Sequence, residues 1–571
     1  MSATHWIDCG NGLRLERGVR CRMSDGVELV SDHYYPQRPG PNPTLLMRQP
    51  YGRDIASTVV YAHPLWFARH GYNVVIQDVR GRGDSEGEFY PFRHEGRDGA
   101  ETIAWLRTHA ESNGRIGMYG FSYQGMTQLL AAAEQPEGLA CIAPGMSAHD
   151  LYNGWFYYHG ALRFASILGW GLQMLKEDTR RRKLRDASDR LEQAWANLAA
   201  QTGALPYGAH PAIHEVGGPR YVLDWFEHDQ PGDYWSSLDV SGSVEKISVP
   251  ALHVSGWYDT FLDGSIDGFL ALSEHASSAF ARENQYLIAG PWIHIPWGDR
   301  IGAADFGAQA LLDTDEILLR WFNHWLMESG EFAGEPKIRH FVLGENRWRK
   351  ASAWPPRAKY ALYLHSEGKA NSRKGNGVLS PAPPRIDEPR DVFVYDPEVP
   401  VLAPGGAAAA SGPFDQAALE LGNNLLVYST EPLTEPLRIF GFPRVALYCS
   451  SSAAHTDFIA KLVRVKPNGA AEFISTGTAR SSWLFSESGY VADKVHLWEF
   501  SLEPTSCEFA AGERIRLEIA SSAFPLYDRN PGADIPPSRA TSWDWKRSTQ
   551  FVFHDGRHPG ALYLPVSERV E

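Results

Sequence analysis

Disulfide staples, membrane anchors and polyelectrolyte patches are what this sequence lacks. Cysteine is scarce: there are five in 571 residues, Cys9, Cys21, Cys141, Cys449 and Cys507, with no C-x-x-C pair among them. An odd, scattered set of this kind is not a disulfide framework, and it fits free thiols in a reducing cytoplasm. No Lys/Arg-rich block occurs, and 54 basic against 68 acidic residues give a net charge of -14. That balance argues against a nucleic-acid or anionic-membrane partner. No apolar run approaches the roughly 18 residues of a membrane span. The start, Met1-Ser2-Ala3-Thr4-His5-Trp6, shows no basic region followed by an apolar core. A cytoplasmic protein with no membrane partner is the expectation.

What is present is ample apolar material, 43% hydrophobic and 12% aromatic, in a chain longer than one core sustains, so two or three domains are expected. Short β-type runs at Val27–Val30 and Thr44–Met47 predict an antiparallel opening to a sheet, and the all-apolar run within Asn73–Asp78 predicts a buried parallel strand. After strand Ala140–Met146 the texture changes. Trp155-Phe156-Tyr157-Tyr158, Phe164 and Trp170 crowd together, and Lys176–Arg190 reads as one solvated helix. Residues 149–240 therefore read as a helical cap inserted into the sheet domain, which occupies 1–148 and 241–350. Leu311–Leu326 reads as the helix closing that domain, with Pro336–Leu343 and Trp348–Pro356 carrying the chain out of it. Beyond it, 351–571 shows only short β runs between Pro, Gly and Asn turns, the pattern of a sandwich or jelly roll.

The stretch Arg115–Ala133 reads as strand, sharp turn and helix around Gly120-Phe121-Ser122-Tyr123-Gln124-Gly125. This G-x-S-x-x-G differs by one residue from the G-x-S-x-G elbow of α/β-hydrolases, in which a strained turn lifts a serine above the end of a parallel sheet. Ser122 is the candidate nucleophile. Such a serine needs a base and a carboxylate to orient it, in the chain order Ser, Asp, His. Asp259 and His294 each follow an apolar strand and obey that order.

Two other motifs invite different readings. Arg80-Gly81-Arg82-Gly83-Asp84 contains an adhesion-type tripeptide and a near-dinucleotide glycine spacing, but is expected to be only a mobile, charged βα loop. His210 and His214 have the spacing of a helical metal pair. Pro211 and Gly217-Gly218-Pro219 argue against a regular helix there, so no metal is expected.

With these residues in view, the chain resembles the cocaine esterase and X-Pro dipeptidyl-peptidase (CocE/NonD) family of serine hydrolases over nearly its whole length. The resemblance is carried by Arg48-Gln49-Pro50-Tyr51, Gln77-Asp78-Val79-Arg80-Gly81-Arg82-Gly83, Gly120-Phe121-Ser122-Tyr123, Gly256-Trp257-Tyr258-Asp259 and Gly290-Pro291-Trp292-Ile293-His294. It implies an α/β-hydrolase domain with a helical cap and a C-terminal jelly roll. By the same resemblance Ser122 is the nucleophile, His294 the base, Asp259 its orienting partner, and the Tyr51 hydroxyl and Tyr123 N–H the oxyanion donors. One departure is Gly422-Asn423, where the resemblance leads one to expect an arginine. Members acting on α-amino-acid esters carry carboxylates at the positions of Phe261 and Leu262, so an apolar pocket is expected here, with Trp155, Trp170 and Phe261 lining it. Asp150, Asp263 and Asp267 are the acidic residues that could meet a cationic substrate.

The activity expected is hydrolysis of small aryl or medium acyl esters through an acyl-enzyme, with no cofactor. α-Amino-acid ester hydrolase, β-lactam acylase or X-Pro dipeptidyl-peptidase activity is the alternative, and a silent binding scaffold is the alternative of another class. The expected partner is a small ester or amide, with a homodimer as the candidate assembly.

Overall fold

The computed structural model describes residues 5–38, 40–54, 58–214, 216, 219–405 and 411–567. Met1–Thr4, Pro39, Glu215, Gly217 and Gly218, on which parts of the sequence reading rest, lie outside the described residues.

An eleven-stranded sheet organises the first part of the chain. Its order is His5–Asp8, Arg14–Arg22, Glu28–Tyr35, Asn73–Asp78, Asn42–Gln49, Ser112–Phe121, Leu139–Gly145, Ala251–Tyr258, Gln285–Ile293, Ile338–Val342 and Arg347–Ala351. Neighbours run parallel from Asn73–Asp78 to Ile338–Val342 and antiparallel at both edges. Side chains alternate between the faces, as the pleat requires. Leu46, Val75 and Met118 meet Ile103, Met126 and Leu129 from the helices Glu95–Arg107 and Tyr123–Ala133. Leu45, Val74 and Ile76 meet Phe67, Ile317 and Phe322 on the opposite face.

The structure corrects the sequence reading at four places. Thr44–Met47 lies in a parallel core strand rather than the antiparallel opening, which ends with Glu28–Tyr35. Ile338–Val342 and Arg347–Ala351 do not lead out of the sheet domain but form its last two strands. The closing helix starts only at Thr314, where the Asp313 carboxylate caps the Glu316 N–H. The charged helix of the cap is two helices, Phe164–Arg181 and Arg185–Ala196, because Lys183 takes a left-handed φ of 61° between them.

Phe164, Ile167, Leu168, Leu172 and Leu175 form the buried stripe of the first cap helix. Its N-terminal N–H groups, at Phe164 and Ala165, donate to the carbonyls of Leu526 and Pro525 in the C-terminal all-β domain, a jelly roll. One apolar core then joins the two domains, with Trp257, Leu262 and Ile266 packed in the same cluster as Leu447, Leu462 and Leu517.

Two buried arginines bind the cap segment to the jelly roll. Arg163 donates to Asp263 (2.5 Å) and to Glu503 (3.2 Å). Arg480 pairs with Asp457 and Asp528, both at 2.9 Å, and Asp528 also accepts from the Leu162 N–H and the Tyr207 hydroxyl. Burial opposes the Arg480 charge, but the two carboxylates outweigh it and hold its pKa well above the ordinary value. Removing one partner of such a buried pair leaves uncompensated charge and costs about 3–5 kcal/mol. Arg480→Met is expected to lower jelly-roll stability by that amount, read as a shift of the urea midpoint. A midpoint unchanged from the parent would show that the network contributes nothing net.

Candidate active site

Ser122 ends the strand Ser112–Phe121 and opens the helix Tyr123–Ala133 with φ 60° and ψ −129°. A non-glycine residue held there stores of order 1–3 kcal/mol of strain, which the surroundings must enforce. The Ser122 N–H donates to the Gly145 carbonyl (2.8 Å), and the Ser122 carbonyl accepts from the Gly125 and Met126 N–H groups. Both flanking glycines are required by space. A Cβ on Gly120 would sit 2.5 Å from the Gln124 Cβ, and one on Gly125 would sit 2.7 Å from the Ser147 Cβ. Gln124 occupies the position where the common elbow has glycine, and its Oε1 accepts from the Phe121 N–H (3.2 Å), which accounts for the one-residue difference in the motif.

Asp259 follows the strand Ala251–Tyr258 and is buried. Its Oδ1 accepts from the Phe261 N–H and its Oδ2 meets His294 Nδ1, both at 2.6 Å. A carboxylate on Nδ1 assigns the proton to that nitrogen and leaves Nε2 as an acceptor. Phe121 and Phe261 hold the imidazole from two sides, with ring centroids at 5.3 and 5.2 Å. The glycines before Asp259 and His294 again answer to space. A Cβ on Gly256 would lie 2.4 Å from the Trp292 carbonyl oxygen, and one on Gly290 would enter the Trp292 ring.

Tyr51 stands on the turn after the strand Asn42–Gln49, where the Gln49 side chain accepts its N–H (2.8 Å). Beneath it, buried Arg48 donates to Gln77 (2.7 Å) and pairs with Glu95 (2.8 Å), which also takes the Tyr123 hydroxyl (2.8 Å). Polar side chains thus tie the Tyr51 turn to the elbow. Burial pushes the Tyr51 phenol up to about 12, against polar contacts with Trp170 and Ser122 that favour ionisation, so it is a neutral donor at pH 7. The Tyr123 N–H lies in the first helical turn, where backbone donors have no intrahelical partner.

Ser122, Tyr51 and His294 line one cavity of about 500 Å³. Trp155, Trp170 and Phe261 line it too, with Trp155 stacked on Phe261 at 4.0 Å. Among the described residues no Asp, Glu, Lys or Arg lines it. Asp150, Asp263 and Asp267 are outside the lining, and Asp263 is held by Arg163. Phe156, next to Trp155 in the chain, packs on Trp225 and Trp235.

The remaining motifs have structural roles. Arg82 is fully buried, stacked on Phe89 and bonded to the Met174 carbonyl, so the adhesion tripeptide is unavailable. Arg80 and Asp78 are also anchored, on Asp98 and Arg53, so the loop is tied down rather than mobile. Contrary to expectation, a one-turn helix Pro211–His214 does form, with buried His210 facing the Gln201 carbonyl and His214 exposed. Among the described residues no group of three or more His, Cys, Asp or Glu side chains is placed so that it could hold a metal ion. Sequence reasoning missed Arg163, Glu503, and the cavity residues Val59, Gln173, Trp195 and Ile295.

Fold and sheet order define an α/β-hydrolase bearing a jelly roll. Residues 25–296 match the X-Pro dipeptidyl-peptidase (S15) family, and residues 330–562 match the X-Pro dipeptidyl-peptidase C-terminal non-catalytic domain. Cocaine esterase of Rhodococcus sp. (strain MB1 Bresler) is 34% identical over 96% of this chain and 98% of its own. Among solved structures, an aminopeptidase from the marine sediment archaeon Thaumarchaeota archaeon superposes with TM-score 0.80 at 24% identity, covering 97% of each chain. An α-amino acid ester hydrolase superposes with TM-score 0.77 at 25% identity, covering 98% of each. The chain belongs to the cocaine esterase and X-Pro dipeptidyl-peptidase family of serine hydrolases, and it is a hydrolase.

Proposed function

We propose that this hydrolase cleaves small carboxylic esters with aryl or medium acyl groups through an acyl-enzyme on Ser122. In this reading His294 Nε2 takes the Ser122 proton as Oγ attacks the acyl carbon. Asp259 holds the imidazole by Nδ1 and stabilises the imidazolium. The Tyr51 hydroxyl and the Tyr123 N–H receive the oxyanion, and His294 then protonates the departing alkoxide. Water activated by the same histidine releases the acid. No cofactor enters any step. The free cysteines further support a cytoplasmic setting.

The observation that carries the substrate class is the lining, which is rich in aromatic side chains and, among the described residues, holds no Asp, Glu, Lys or Arg. Burying an unpaired ammonium there would cost several kcal/mol. A benzoyl ring in the same place gains about 2–3 kcal/mol from leaving water. The expected result is a kcat/KM for a benzoyl or butyryl ester well above that for phenylglycine methyl ester or an X-Pro-anilide. A preference for either amino-bearing substrate would assign the chain to the aminoacyl branch instead.

A further inference from the structure

The cavity has a closed end and an open one. At the closed end Trp155 and Phe261 are buried, 1% and 6% exposed. The open end presents Val59, Trp195 and Ile295, exposed 43%, 40% and 47%. Three large apolar side chains gathered at a concave mouth mark a surface that meets a ligand. Trp195 is also held in place. Lys176 Nζ lies 4.4 Å from its ring centroid and 2.6 Å from Glu192 Oε2, so both cap helices fix the indole at the rim.

Resting on the esterase reading, we infer that Val59, Trp195 and Ile295 form the subsite for the alcohol half of the substrate, and that this alcohol is bulky, apolar and uncharged. The order of events assigns the half. When the Ser122 Oγ–acyl carbon bond forms and the acyl–alkoxy bond breaks, the proton held by His294 passes to the departing oxygen. The alcohol must then leave while the acyl group is still bound to Oγ, and water must enter behind it. An alcohol at the closed end would be trapped behind the acyl group, so it belongs at the open end. Ile295 is next in the chain to His294, so the rim begins beside the proton donor. Lys176 is engaged by Glu192, and among the described residues no charged side chain lines the cavity, so nothing there pairs with a charged alcohol.

The test holds the benzoyl group constant and compares methyl benzoate with cyclohexylmethyl benzoate. The parent is expected to favour the bulky ester, and in Trp195→Ala the ratio of the two kcat/KM values is expected to fall about tenfold, the scale of one lost apolar contact surface. Val59→Ser should lower the same ratio and serves where Trp195→Ala fails to fold. Ratios within twofold of the parent in both variants would overturn the rim subsite while leaving the esterase reading intact. A parent inert toward both esters would overturn the esterase reading itself.

Discussion

Replacing Ser122 with alanine is expected to abolish ester turnover, by on the order of 10⁶-fold in kcat, while the protein stays folded. The size follows from the chemistry, because the variant lacks the hydroxyl proposed to form the acyl-enzyme. What would remain is binding and the proposed oxyanion donors, acting on an attacking water with no covalent route. The fold should survive. The elbow is enforced by the Ser122 N–H on Gly145 and by the Gln124 side chain on the Phe121 N–H, and neither needs the hydroxyl. An alanine also has no larger Cβ than serine to strain at φ 60°. Activity above a few per cent of the parent in a pure preparation would place the nucleophile elsewhere.

Tyr51→Phe is expected to cost roughly 10²- to 10³-fold in kcat, the loss of one oxyanion donor, with KM little changed. The two parameters should separate because the hydroxyl is proposed to meet charge that exists only in the transition state, whereas the ring keeps its place in the wall. Geometry favours a clean substitution. The Gln49 side chain on the Tyr51 N–H and the Arg48–Glu95 pair both survive the substitution. Burial keeps the hydroxyl protonated across the working range, so the defect should not depend on pH between 6 and 9. Equal kcat in variant and parent would remove Tyr51 from the oxyanion site.

The candidate site was legible where a local pattern marks it. Ser122, Asp259 and His294 each follow an apolar strand, at the carboxyl edge of a parallel sheet. Of their glycines, Gly120 and Gly290 answer to a clash within their own motif, whereas Gly125 and Gly256 answer to Ser147 and the Trp292 carbonyl from elsewhere in the fold. Long-range packing was not legible. Ile338–Val342 and Arg347–Ala351 carry strand patterns with no helix between them, so nothing local says that they pair with the sheet domain rather than with the β domain beyond. The break at Lys183 has no Gly or Pro to announce it. Arg163 and Glu503 stand 340 positions apart, and their pairing exists only once the jelly roll docks on the cap. Trp195 sits in a charged helix and shows its role only through the cavity mouth it flanks.

The proposal that Ser122 carries the acyl-enzyme is tested most directly by a fluorophosphonate probe read by intact mass and peptide mapping. One phosphonyl adduct per chain, mapped to Ser122 and absent from Ser122→Ala, is the expected result. No adduct on the parent, or an adduct on a different serine, would contradict it.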